Sequence, residues 1–200
     1  MRHSSTEIPS EPVDAGVAAN NRLTALTGAL LLVLLALLGI TVLDVRQLLP
    51  QHFLLGFVLV PPVLLKMGST GYRFVRYYSG DSRYRDAGPP SWFMRLIAPV
   101  VVLSTIVVFA TGIELWLFGL RFGSAWVVAH KASFFVWIAA TGIHVLAHLG
   151  RTADATSEEL SSKPPAALTR RSLVLGSLVV GVVVALATLA YPSPFIFLDD

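Results

Sequence analysis

Four of the five histidines lie in or at the ends of long apolar segments, where an ionisable side chain is costly and commonly has a function. These are His52, His130, His144 and His148. One acidic residue, Glu114, also interrupts an apolar segment. Imidazole is a common metal ligand, and two imidazoles that approach from opposite faces can bind the iron of one haem. The histidines are therefore the first candidates for a cofactor site.

The spacing of the histidines sorts them into two levels. His144 lies 14 residues after His130, which on a helix is about 21 Å along the axis and within about 40° of the same face. His148 lies 18 residues after His130, about five whole turns, and shares its face. One helix would thus present histidines near both membrane surfaces, the geometry that two stacked haems require. His52 opens a segment that runs in the same direction, so it lies at the level of His130 and completes an outer pair.

The inner level has no second histidine from another segment. The residue 14 positions after His52 is Lys66, which could be a ligand only if burial removed its proton. Alternatively, Lys66 extends its ammonium group to the lipid headgroups. Other interpretations of the histidines are hydrogen bonds between helices, or a zinc or copper site to which His144 and His148 contribute as an i, i+4 pair. Glu114, at the outer level, is a candidate for proton transfer, for contact with a quinol, or for a hydrogen bond to a neighbouring helix.

The segments that position these residues are those of an integral membrane protein. The 200-residue chain is 54% hydrophobic and only 14% charged, where a soluble domain would carry about a quarter charged residues. Runs of about 20 apolar residues are long enough to cross a bilayer core. The sequence predicts an all-α integral membrane bundle of about five transmembrane helices, four of which form a core bundle. The predicted spans are 23–43, 52–67, 93–120, 125–149 and 172–191.

The Lys and Arg residues predict the orientation. With the N-terminus inside, 12 of the 15 fall on the cytoplasmic side and 3 on the other, namely Arg46, Arg121 and Lys131. Such a bias orients membrane proteins. The sequence predicts a multi-pass protein of the cell (inner) membrane, with a disordered cytoplasmic tail over 1–22, a polar loop over 150–171 and a short external tail over 192–200. The positive charge is explained by the lipid bilayer, so no nucleic acid partner is expected.

Several of these residues together resemble a known family. The segment Trp126–His130 is followed by Thr141, Gly142, His144 and His148 and preceded by Thr111 and Gly112. This pattern resembles the di-haem cytochrome b membrane subunits, namely the cytochrome b561-like, formate dehydrogenase gamma-like and hydrogenase cytochrome b proteins. In that group a late helix carries two histidines 14 residues apart, as His130 and His144 are. An early helix supplies the partner of the outer one, as His52 would. The resemblance covers about residues 52–150.

The resemblance implies a function and a cofactor. It implies a b-type cytochrome subunit that carries electrons between a quinone pool and a redox partner subunit, without catalysing substrate chemistry itself. One haem b is expected at His52 and His130, and a second only if the inner site finds a partner for His144. With no cysteine in the chain, iron–sulfur clusters and covalent haem attachment are excluded. Two other classes stay open: a cofactor-free membrane scaffold or assembly subunit, and a small transporter that uses Glu114 and a helix break at Pro61-Pro62.

Overall fold

A computed structural model describes residues 14–88, 91–161 and 166–196. These ranges contain no strand and form the helices α1 (Ala15–Leu43), α2 (Leu49–Tyr78), α3 (Ser82–Asp86), α4 (Trp92–Phe118), α5 (Ala125–Ser161) and α6 (Ala167–Thr188). All of these except the short α3 are long and apolar enough to cross a membrane, and many of their large apolar side chains face outward. The prediction of an all-α membrane bundle with five long helices is confirmed.

Four of the long helices surround a common interior. Helix α1 packs against α2 and α5, and α4 packs against α5 and more loosely against α2. Helices α2 and α5 make little backbone contact, so they lie across the bundle from each other. Helix α6 covers the outer side of α2 and α1. The most tightly packed apolar cluster lies where α1, α2 and α6 meet and consists of Leu31, Leu34, Val58, Leu59 and Ala185.

Two predictions about polar segments are wrong. The segment 150–171 is mostly helical rather than a loop, because α5 continues to Ser161 and α6 begins at Ala167. The drop in hydropathy after about residue 149 indicates where α5 leaves the membrane. It does not end the helix, because the backbone hydrogen bonds of α5 continue to Ser161. Residues 15–22, predicted to be disordered, form the first turns of α1, which Asp14 caps by accepting a hydrogen bond from the Gly16 N–H at 2.8 Å. Residues 1–13 and 197–200 of the predicted tails lie outside the described residues.

The other helix bounds follow the predicted spans to different degrees. Helix α4 differs from its predicted span by no more than two residues at either end. Helix α2 is much longer than its predicted span 52–67 and runs without interruption through Pro61 and Pro62 to Tyr78. Its last turns carry alternating aromatic and basic residues, a mixture suited to the headgroup region.

Gly181 of α6 lies directly against the backbone of α2. A Cβ atom at this position would collide with the carbonyl oxygen of Val58. Small residues at such crossings let transmembrane helices approach closely. Helix α6 therefore depends on this glycine for its contact with α2.

We expect Gly181→Val to destabilise the detergent-solubilised protein by about 1–3 kcal/mol, because the added side chain overpacks the α2–α6 contact. The matched control is Gly176→Val on the same helix, where a Cβ meets no atom within 4 Å. The control should change stability by no more than about 0.5 kcal/mol. Thermal unfolding followed by circular dichroism measures both, and equal losses would show that Gly181 has no special packing role.

Candidate functional site

His52 and His130 face each other inside the bundle. His52 lies in the first turn of α2 and His130 in the second turn of α5, at what is called here the histidine-pair end, where α1 finishes and α2 begins. Their ring centroids are 6.4 Å apart and the ring planes are nearly perpendicular, at 89°. Because the backbones of α2 and α5 stay apart, the two rings meet across the interior of the bundle.

Each ring is held at its Nδ1 atom by a threonine from a different helix. Thr41 Oγ1 of α1 lies 2.9 Å from His52 Nδ1. Thr111 Oγ1 of α4 lies 2.9 Å from His130 Nδ1. Each of the four helices of the core bundle therefore contributes one side chain to a Thr–His–His–Thr group.

The threonines also determine which ring nitrogen carries the proton. The Thr41 hydroxyl donates to the Leu38 carbonyl at 2.6 Å, and the Thr111 hydroxyl donates to the Val107 carbonyl at 2.7 Å. A hydroxyl has only one proton to donate, so a threonine that donates it to its own helix accepts a hydrogen bond from the ring N–H. This arrangement puts the proton of each imidazole on Nδ1 and a lone pair on Nε2. Metal-binding histidines commonly show this arrangement, in which a hydrogen bond to one ring nitrogen fixes the tautomer that ligates through the other.

The separation and the number of donors decide which metal this pair suits. A metal ion about 2.0–2.1 Å from the Nε2 atoms of two opposed imidazoles places the ring centroids about 6–6.5 Å apart. Within residues 14–88, 91–161 and 166–196, no three His, Asp or Glu side chains come together as a metal site. Zinc and copper sites usually need three or four protein ligands. Haem iron takes four nitrogens from its macrocycle and needs at most two from the protein, so two histidines suit haem better than a bare metal ion.

Glycines beside the pair leave the space that the rings occupy. A Cβ atom on Gly112 of α4 would lie 3.1 Å from His130 Cε1, tighter than ordinary contact. Gly56, one turn after His52 on α2, would place a Cβ where no atom lies within 4 Å, and the same is true of Gly142. Gly112 therefore allows the His130 ring to reach Thr111, while Gly56 leaves open space next to His52.

Glu114 lies one turn beyond Thr111 on the same face of α4. Both of its carboxyl oxygens are buried and have no hydrogen-bond partner in the described part of the chain. A buried polar group without a partner is uncommon and carries a desolvation cost. Because both carboxyl oxygens of Glu114 are free to accept a proton or a hydrogen bond, Glu114 stays a candidate for proton transfer or quinol contact.

The other two histidines are not brought opposite a histidine of another helix. His144 and His148 lie at the other end of the bundle, called here the basic end, and their rings contact each other at a centroid distance of 4.6 Å. Arg151 Nη2 donates to His148 Nδ1 at 2.8 Å, while His144 Nδ1 is buried with no partner among the described residues. Neighbouring residues of one helix approach from the same side, so they cannot bind the two faces of one haem.

Lys66 is oriented toward α1 at the basic end. Its Nζ donates to the Thr24 carbonyl oxygen at 2.6 Å. Gly28 makes this possible, since a Cβ there would lie 3.0 Å from that nitrogen. The ammonium group of Lys66 is therefore bound to a backbone carbonyl of α1, a contact that the sequence did not predict.

The segment after α6 folds back over the histidine-pair end. The Tyr191 hydroxyl donates to the Leu117 carbonyl, and the Ser193 hydroxyl donates to the Trp116 carbonyl, both at 2.7 Å. These carbonyls belong to the last turn of α4, where a helix leaves acceptors without partners. Phe195 packs edge-on against Phe53, the neighbour of His52, at 6.1 Å. The segment 191–196, partly predicted as a free external tail, therefore covers this end of the bundle.

The chain has no significant match among protein-family models, curated proteins or solved structures. The resemblance to cytochrome b subunits is therefore carried by the residues of this chain alone. The geometry of the histidine pair provides the basis for a functional proposal.

Proposed function

We propose that the chain is a b-type cytochrome subunit that holds one haem between His52 and His130 and carries electrons between a quinone pool and a redox partner. One observation carries the proposal: two inward-facing imidazoles, 6.4 Å apart, each held at Nδ1 by a threonine. This leaves two Nε2 lone pairs and, among the residues that the structure describes, no third ligand beside them, which is the donor set that a bis-histidine haem needs.

When bound, haem supplies one-electron transfer between its ferric and ferrous states. The side chains of this protein supply orientation and environment. Thr41 and Thr111 fix the imidazole tautomers, and an acceptor at Nδ1 makes a ligating imidazole more basic. The segment 191–196 and the surrounding helices shield the pair from water. Glu114, one turn from Thr111, is the candidate to accept a proton if a quinol is oxidised beside the haem.

The basic end supports an orientation for the protein in the cell (inner) membrane. Lys66, Arg73, Arg151 and Arg170 lie at this end, and the positive-inside bias assigns it to the cytoplasm. The histidine pair then lies in the external half of the bilayer. With no second cross-bundle histidine pair among the described residues, the proposal is one haem and an electron carrier that hands over electrons on one side.

A reduced-minus-oxidised absorption spectrum tests this function. The full chain is expressed with ample haem, purified in detergent, and reduced first with dithionite and then with a short-chain quinol. We expect a b-type difference band with both reductants. If no band appears with dithionite, the protein is not a cytochrome, and the cofactor-free scaffold or assembly subunit becomes the better explanation. A band with dithionite but not with the quinol would support haem binding and contradict electron exchange with quinones.

The structure gives the transporter alternative less support than the sequence alone does. It depends on a broken helix at Pro61-Pro62, because unwound helix segments form the binding sites of many transporters. Helix α2 is continuous through both prolines, and Pro62 is fully buried. The two prolines leave the carbonyls of Phe57 and Val58 without helical donors, but Gly181 of α6 packs directly over the Val58 carbonyl, and no unwound segment opens there.

We expect Thr41→Val and Thr111→Val each to weaken haem retention by about 10–100-fold, the usual effect of removing a partner that orients a metal ligand. Valine keeps the shape of the side chain and removes the acceptor for the ring N–H. Thr105→Val is the control, since its hydroxyl accepts a hydrogen bond from Trp137, away from the histidines. The rate of haem transfer to apomyoglobin measures retention, and unchanged rates in both variants would refute the orienting role.

A further inference from the structure

We propose that the basic end of the bundle contains a binding site for the phosphate group of an acidic phospholipid, between α1, α2 and α5. The site is formed by Lys66, His144, His148 and Arg151. It is separate from the histidine pair, and it does not depend on whether the protein binds haem.

Four basic side chains from two helices converge at this end. The rings of His144 and His148 are in contact, and the Arg151 guanidinium donates to the His148 ring from the next turn of α5. Lys66 reaches the same region from α2, because its Nζ and the Thr152 side chain, which follows Arg151 on α5, lie on either side of Gly28. A Cβ on Gly28 of α1 would lie 3.0 Å from Lys66 Nζ and 3.8 Å from Thr152 Cγ2 of α5, so α1 closes the third side.

No carboxylate of the described chain balances these charges. The acidic residues farther along α5 are directed elsewhere, because Glu158 pairs with Arg22 and Glu159 with Arg170. Asp154 lies three residues after Arg151 but is not within ion-pair distance of Arg151 or Lys66. Lys66 and Arg151 carry the positive charge of the cluster, because the His148 ring accepts a hydrogen bond from Arg151 at Nδ1. Two such charges at the edge of a membrane span repel each other unless an anion joins them. The cluster is therefore suited to hold an anion that no carboxylate of the described residues supplies.

The position of the cluster indicates which anion it would bind. It lies at the end of the apolar part of α5, where the phosphate groups of a bilayer are found. Basic pockets between transmembrane helices on the cytoplasmic side bind the headgroups of acidic lipids. Arg151 is exposed and uses one donor on His148, so its other N–H groups can bind phosphate oxygens, and guanidinium groups suit phosphate well. Leu149, also exposed, continues the surface toward the acyl chains.

Native mass spectrometry of the purified full chain tests the proposal. The protein is mixed separately with phosphatidylglycerol, phosphatidylcholine and inorganic phosphate. We expect it to retain phosphatidylglycerol in preference to phosphatidylcholine, and the double variant His148→Gln/Arg151→Gln to lose about tenfold of that preference. Arg85→Gln, which removes an exposed charge on α3, is the matched control and should retain the preference. Arg151→Lys keeps the charge and should retain most of it.

The arms of the experiment separate the possible outcomes. Loss of the lipid preference in the double variant alone supports a lipid phosphate site. Binding of inorganic phosphate that the double variant abolishes supports the anion site but assigns it to a soluble ligand. Equal lipid retention in wild type, double variant and control overturns the proposal. If the double variant does not fold, Arg151→Gln alone decides between these outcomes, because its side chain is exposed.

Discussion

Replacing either member of the histidine pair by alanine is expected to abolish stable haem binding. In His52→Ala and in His130→Ala only one of the two histidines that would hold the haem remains, and the threonine bonded to the deleted ring loses its partner. We expect the ratio of haem absorbance to protein absorbance in the purified variants to fall at least about tenfold below wild type, since loss of a ligand should cost no less than loss of the threonine that orients it. Size-exclusion chromatography and circular dichroism check that the variants stay folded.

The histidines of the basic end provide the matched controls. His144→Ala and His148→Ala remove the same chemical group from the same helix that carries His130. If the proposed site is correct, both keep the haem absorbance of wild type. Haem that persists without His52 and His130, or that is lost with His144, would move the site to the basic end of the bundle.

The largest effect on stability is expected at Glu159. Its side chain is 0% exposed, and its two oxygens accept from Arg170 Nε at 3.0 Å and Nη2 at 2.7 Å. Arg171 also contacts the Glu159 carbonyl oxygen. Removing one partner of a buried ion pair leaves the other charge in a poorly solvated position, which costs about 3–5 kcal/mol. We therefore expect Glu159→Ala to lower the free energy of unfolding by about that amount and to loosen α5 from α6.

The adjacent residue is the control for this prediction. Glu158 pairs with Arg22 of α1, and its side chain is 56% exposed. An exposed pair contributes less than about 1 kcal/mol, so Glu158→Ala should have a small effect. Unfolding in mixed micelles with increasing denaturant measures both variants. Similar values for the two would mean that the buried pair between α5 and α6 contributes no more than a surface ion pair.

The fold was predictable where hydropathy determines it and not elsewhere. Long apolar runs predict the number and approximate position of the helices, because a bilayer core requires about 20 apolar residues. The end of α5 was not predictable in this way. The polar residues up to Ser161 stay helical because Glu159 is buried against Arg170 of α6, a contact between two segments that hydropathy treats as one loop.

The sequence predicts the depth of the two histidines in the membrane, but it does not predict which side chains surround them. His52 and His130 lie near the starts of two segments that run in the same direction, which gives their common level, and the structure brings the two rings together. Thr41 was missed, because its contact depends on how α1 is rotated about its axis. Thr111 was part of the pattern that resembles the cytochrome b subunits, but its contact with His130 was not predicted. The spacing from His52 placed Lys66 at the inner level but could not predict its hydrogen bond to the Thr24 carbonyl, which depends on the packing of α1 against α2.

A pyridine haemochrome assay of the purified full chain, combined with quantitative amino-acid analysis, tests the central claim most directly. The arrangement of His52 and His130, with no second cross-bundle pair in the described part of the chain, predicts one haem b for each polypeptide. A value of zero from protein expressed with ample haem would contradict the cytochrome proposal. A value of two would contradict the single site and would require a second haem at His144 or His148.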